Sequence, residues 1–135
     1  MTRKTISIAF AVALSGALLI TSCSKQEDPT PTPAATFKGT WHVSENSKDF
    51  GSSTYNCTIS DSSDGTHLLL AYLYGFNKKI YGTPNGNNLT IPAQTIQGNS
   101  VSGSGVLANA TQINLSYWVR STSTHYDTVT AVLTK

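Results

Sequence analysis

From residue 37 onward, apolar and polar residues alternate with period two, and no window sustains a helical period. Period two sends successive side chains to opposite faces of a strand. Phe37, Gly39, Trp41 and Val43 share one face, with Lys38, Thr40, His42 and Ser44 on the other. The same reading predicts strands over residues 37–44, 54–60, 67–74, 79–83, 88–92, 101–107, 113–119 and 128–133. Residues 67–74 are apolar on both faces, and the alternation there sets Tyr72 and Tyr74 on one face. The breaks carry turn chemistry: Asp61-Ser62-Ser63-Asp64-Gly65, Gly75-Phe76-Asn77, Pro84-Asn85-Gly86-Asn87 and Ala108-Asn109-Ala110. Asn-Gly and Asp-Gly supply the positive φ angles that tight hairpins need. Eight short-linked strands predict an all-β, antiparallel up-and-down meander that closes into a small barrel, with a β-sandwich as the alternative. Gly103 and Gly105, on one face of the sixth strand, mark a bend or a close approach.

Upstream, the pattern changes. Arg3 and Lys4 precede 15 uncharged residues, 6–20, which is short for a membrane span and right for a secretory signal. Ile20-Thr21-Ser22-Cys23 follows, and it resembles a bacterial lipobox. The resemblance implies a signal peptide over 1–22, cleavage before Cys23, and acyl chains such as palmitate on the Cys23 thiol and the new amino group. The membrane is then the partner that the Cys23 anchor reaches. Ser24, where Asp would retain the protein in the inner membrane, points to the outer membrane. Lys25-Gln26-Glu27-Asp28 resembles the charged tethers of surface-exported lipoproteins, so the periplasmic face and the cell surface both stay open. Residues 23–36 alternate Pro29, Pro31 and Pro33 with Thr30 and Thr32, with nothing large to bury. Such a stretch reads as an extended stalk rising about 3.1 Å per residue. The folded domain is expected over 37–135.

Charge then excludes a class of partner. Charged residues make up 12% of the chain, and the formal net charge is +2. Without Arg3 and Lys4 the remaining seven Lys/Arg and seven Asp/Glu cancel. A neutral chain has no steering field for nucleic acid. With Cys23 acylated, Cys57 is left unpaired on an apolar face, the reading of a buried core thiol.

Gly39-Thr40-Trp41 opens the first strand. A Gly-x-Trp at that place resembles the lipocalin and calycin signature. It implies that Trp41 plugs the closed end of an up-and-down barrel, with a basic residue, Lys135 or Arg120, over its ring. The domain is shorter than usual lipocalins, and the pattern is closer to short lipocalin-like domains of bacterial lipoproteins. The resemblance implies a binding barrel without naming what it binds.

Catalytic patterns are not found. His42, His67 and His125 form no metal-ligand spacing, and Asp61-Ser62-Ser63-Asp64-Gly65 lacks the closing Glu of a calcium loop. There is no nucleophile elbow and no phosphate loop. The expectation is a non-enzyme with no cofactor and no metal. Asp127-Thr128-Val129 resembles an O-glycosylation acceptor of some Gram-negative periplasms. Aromatics are the remaining resource. Trp41, Tyr55 and Tyr117 are expected on the ligand-facing side of the barrel. Trp118, beside Tyr117, is expected on the outer face. The reading is a membrane-anchored barrel for a small apolar or amphipathic ligand; the alternative is a surface adhesion or glycan-binding module using outer aromatics such as Trp118.

Overall fold

The structure, a computed structural model, describes residues 33–135. The expected signal peptide, Cys23 and most of the expected stalk lie outside the described residues. A short helix α1 (Pro33–Phe37) leads into β1 (Gly39–Ser47), β2 (Gly51–Asp61), β3 (Leu68–Ala71), β4 (Ile80–Asn85), β5 (Asn88–Ile96), β6 (Asn99–Asn109), β7 (Gln112–Arg120) and β8 (Tyr126–Thr134). Each strand pairs antiparallel with the next, and β8 pairs with β1, closing a barrel of eight strands. Closure pairs β8 with β1, so the sheet has no free first or last strand, the edge most exposed to aggregation.

The inner face follows the alternation. Trp41, Val43, Cys57, Ile59, Leu70, Ile80, Leu89, Ile91, Val101, Ile113, Leu115, Val129 and Leu133 fill the interior. The outer face is rich in Ser, Thr and Asn. Chain direction gathers residues 48–50, 72–79, 97–98 and 121–125 at one end, the mouth. Helix α1, residues 62–67, 86–87 and 110–111, and Lys135 gather at the other end, the base.

Three expectations need correction. Residues 33–36 are not extended stalk, and Phe37 does not begin β1. Pro33 fits the first turn of a helix, where its missing N–H costs nothing. The helix sets Phe37 fully buried under the barrel, where its carbonyl accepts from Trp41 Nε1 at 2.7 Å. Second, the third strand stops at Ala71. Tyr72 (φ 69°) and Tyr74 (φ 57°) are left-handed, and the chain turns through a single 3-10 turn, Leu73–Gly75. Tyr72 is therefore exposed and Tyr74 half-buried, on no common strand face. Third, β5 continues past Pro92 through a bulge between Ile91 and Gln94. The Gln94 side chain restores the interrupted ladder, accepting from Tyr81 N at 2.9 Å and donating to Tyr81 O at 2.8 Å.

Gly103 sits opposite Tyr117 on the inner face. A Cβ there would lie 2.3 Å from Tyr117 Cβ and 2.5 Å from the Ser116 carbonyl oxygen. Neither atom is the free end of a side chain, so Gly103→Ala is expected to cost about 1–3 kcal/mol. Gly105→Ala meets Leu115 Cδ1 at 2.8 Å, a movable methyl, and is expected to cost less. Urea unfolding midpoints of the two variants check the order; equal losses would show that the close backbone approach at Gly103 is not what requires glycine there.

Candidate functional site

The mouth differs from the rest of the interior because its inward residues are polar. Alternation along β1 carries the inner face from Trp41 and Val43 to Glu45 and Ser47. Along β8 the same face begins with Asp127. Glu45 is 6% exposed and Asp127 2%. Buried carboxylates need donors, and tyrosines supply them. Tyr55 and Tyr117 both donate their hydroxyls to Glu45 Oε2. Asp127 Oδ2 accepts from Ser47 Oγ and from the Tyr74 hydroxyl, each at 2.6 Å, and Oδ1 accepts from Asp49 N at 3.2 Å. Tyr55 OH in turn accepts from Tyr74 N at 2.9 Å, which joins the two carboxylate clusters.

Tyr74 owes its place to backbone strain. Two left-handed tyrosines in three residues cost on the order of 1–3 kcal/mol each. They swing the Tyr74 ring across the mouth from the β3–β4 connection to β8. There it meets Phe76 (centroids 5.3 Å), Phe50 (6.2 Å) and the edge of Tyr117 (6.2 Å). Because β3 ends opposite Thr58, the upper part of β2 is paired only with β1 and has no strand on its other side, and the barrel wall opens. A cavity of about 690 Å³ fills that window, walled by Glu45, Phe50, Tyr55, Tyr72 and Tyr74 with small polar residues between. A smaller one of about 270 Å³ lies on the other side of Tyr74, against Asp49, His125 and Asp127. His125 Nε2 lies 2.5 Å from Asp49 Oδ2 across the rim.

The electrostatics set protonation. Burial first, and then its hydrogen bond to Glu45, hold the Tyr55 hydroxyl above the ordinary tyrosine range. Burial and the bond to Asp127 do the same for Tyr74. Burial, then the neighbouring Tyr55 and Glu45, do so for Tyr117. All three remain donors at physiological pH. Burial pushes the Asp127 carboxyl up, but the donors Ser47, Tyr74 and the backbone N–H groups of Asp49 and Lys48 outweigh it, and the net shift is downward. A carboxyl lowered in the folded state stabilises above its unfolded value, about 3.9, and that stability is lost as pH falls through the lowered value. Asp127→Asn is expected to cost about 2 kcal/mol at neutral pH and to flatten the fall in melting temperature below about pH 4. Thermal melts of both proteins from pH 7 to 2 check this; parallel curves would remove Asp127 from the acid response.

The sequence-predicted residues fall in different places. Tyr55 lines the cavity. Tyr117 is buried and acts through its hydroxyl on Glu45. Trp41 is fully buried at the base, away from the mouth, with Lys135 Nζ 4.2 Å from its ring centroid. Lys135, not Arg120, covers Trp41; Arg120 lies over Tyr126 at 5.6 Å. Trp118 is on the outer face, half-buried edge-on against Tyr126. Thr128 is exposed beside buried Asp127. Burial pushes the Cys57 thiol up to about 12, which leaves it a core group without thiolate character. Asp64 sits in the β2–β3 turn, its carboxyl held below the usual range by the Ser62 hydroxyl and then Thr66 N. Among the described residues no three His, Cys, Asp or Glu side chains group to hold a metal.

The sequence reading assigned Glu45, Asp127 and Tyr74 to no site. The signal for the first two was present: each continues the alternation of Trp41-Val43 or Val129-Ala131 by a further step. The left-handed turn that places Tyr74 has no such signal.

No family model matches the chain, and no curated protein matches it. Among solved structures, a redesigned β-barrel superposes with a TM-score of 0.54 at 17% identity, over 77% of this chain and 95% of that one. EF1p2_mFAP2b bound to DFHBI superposes with a TM-score of 0.53 at 16% identity, over 78% of this chain and 98% of that one. At these identities the likeness is one of fold: a small β-barrel.

Proposed function

We propose that this protein is a non-catalytic, lipid-anchored barrel of the outer membrane that holds a small apolar or amphipathic ligand at its mouth. The observation that carries the ligand is the cavity of about 690 Å³ between the β1–β2 hairpin and the Leu73–Gly75 turn. Small-molecule sites run to about 300–1,000 Å³, mostly apolar and aromatic with a few placed polar groups. Four aromatic rings and one carboxylate fit that description. The interior below is filled by core side chains, so the ligand sits at the mouth, not deep in the barrel. That a barrel of this architecture takes a small molecule is supported by EF1p2_mFAP2b, whose structure has DFHBI bound.

The lipocalin-like reading draws support from the base, where Gly39-Thr40-Trp41 is covered by Lys135. The anchor rests on Ile20-Thr21-Ser22-Cys23 and the signal segment before it. An adhesion or glycan-binding role would rest on Trp118, whose ring is half-buried against Tyr126, and this makes the mouth the stronger site.

The test is chemical. The protein is isolated from its host, extracted with organic solvent, and weighed by native mass spectrometry before and after. A stoichiometric small molecule supports the reading and gives the ligand class. A protein that carries nothing as isolated, and gains no mass with host lipid extract, overturns it.

A further inference from the structure

Glu45 is unusual within the cavity wall. Its Oε2 is saturated by the hydroxyls of Tyr55 and Tyr117. Its Oε1 accepts from no group among the described residues. A carboxylate has about four lone-pair sites, and leaving one oxygen bare in a residue 6% exposed is costly unless something faces it. Among the described residues no fully enclosed side-chain nitrogen or oxygen lacks a partner, so Oε1 retains open surface. Glu45 lines the cavity together with the aromatic side chains. The two tyrosines fix the carboxylate plane, and the free oxygen is presented in one orientation.

The rest of the wall suits a cation. Phe50, Tyr55, Tyr72 and Tyr74 are aromatic, and aromatic rings attract ammonium groups as well as apolar bodies. No Lys, Arg or His lines this cavity, although Lys48, Lys78 and Lys79 lie in the mouth segments. Asp49 and Asp127 stand beyond Tyr74 and add negative field, Asp49 paired with His125.

We propose that the mouth ligand is an amphipathic amine, its ammonium group donating to Glu45 Oε1 while its apolar body lies among Phe50, Tyr55, Tyr72 and Tyr74. This deepens the ligand-barrel reading and rests on it. An anion is disfavoured by the bare carboxylate, and a neutral apolar molecule would bury Oε1 without a donor.

The test uses three near-isosteric probes on the full chain: 2-phenylethylamine, 2-phenylethanol and phenylacetate, titrated by calorimetry at neutral pH. The amine is expected to bind about tenfold or more tightly than the alcohol, the worth of a charged hydrogen bond. Its affinity is expected to fall with added salt while that of the alcohol does not. Glu45→Gln, which still offers the tyrosines an acceptor, is expected to lower the amine's affinity about tenfold and the alcohol's by less, so that the amine's advantage disappears. The salt series on the unmodified protein keeps the test decisive if that variant fails to fold. An alcohol that binds as well as the amine, or a carboxylate that binds better, overturns the charge assignment and leaves the ligand site standing. No binding by any probe at millimolar concentration overturns the site itself, and this inference with it.

Discussion

Trp41→Ala is expected to cost about 3–5 kcal/mol of folding stability. Trp41 is fully buried at the base. Its truncation leaves a void larger than any rearrangement of Val43 or Cys57 can fill, and packed interiors relax only partly around such voids. It also orphans the Phe37 carbonyl, which accepts from the indole at 2.7 Å. Lys135 is the second casualty. Its ammonium lies 4.2 Å from the ring centroid and donates to the carbonyls of Thr36 at 3.0 Å and Lys38 at 2.8 Å. One side chain thus ties the helix α1, the start of β1 and the chain's last residue together. Trp41→Phe keeps most of the volume and loses the hydrogen bond, so it is expected to cost less than the alanine change. Chemical unfolding of both variants checks the order. A loss below about 1 kcal/mol for Trp41→Ala would show that the base does not rest on the indole.

Cys23→Ser is expected to move the protein almost wholly from the membrane fraction to the soluble one. A serine hydroxyl is a far weaker nucleophile than a thiol, so the thioether does not form. Each buried methylene contributes about 0.8 kcal/mol, and one acyl chain alone holds only marginally, so loss of acylation would remove the proposed anchor outright. Fractionation with alkaline washing reads the result, and mass spectrometry of the mature N-terminus checks the acyl groups. Retention of the serine variant in the membrane would end the lipoprotein assignment. Because the barrel begins ten residues further on, at Pro33 in helix α1, the change is expected to leave its thermal melt unaltered.

The two changes probe opposite kinds of information. The proposed anchor rests on a local string, a charged start, an apolar run and small residues before Cys23, which needs no fold to be read. Trp41 is different: its residue type and place were legible, but its partners were not. Lys135 and Arg120 were equal candidates to cover it, since each ends or follows a strand. Barrel closure decides between them, because β8 returns to the base beside β1 and brings Lys135 there, while Arg120 at the end of β7 is carried to the mouth.

The mouth shows why polar sites hide in patterns of hydrophobicity. The alternation that predicts β1 runs on through Glu45 and Ser47, but two polar inward residues resemble a loop. Only partners on other strands, Tyr55 on β2, Tyr117 on β7 and Asp127 on β8, make those positions interior. In the same way Tyr72 and Tyr74 alternate like strand residues, yet hydrophobicity says nothing about the sign of φ.

The sequence by itself determined the strand number, their antiparallel order and four of the seven connecting turns, because side-chain period and turn chemistry are local properties of the chain. It determined the inward face of most strands for the same reason. The tertiary structure alone decided that Pro33–Phe37 is helix, that β3 ends early, and that Tyr74 crosses the mouth. Each depends on contacts between residues distant in the chain, whose burial outweighs local preference for extended backbone.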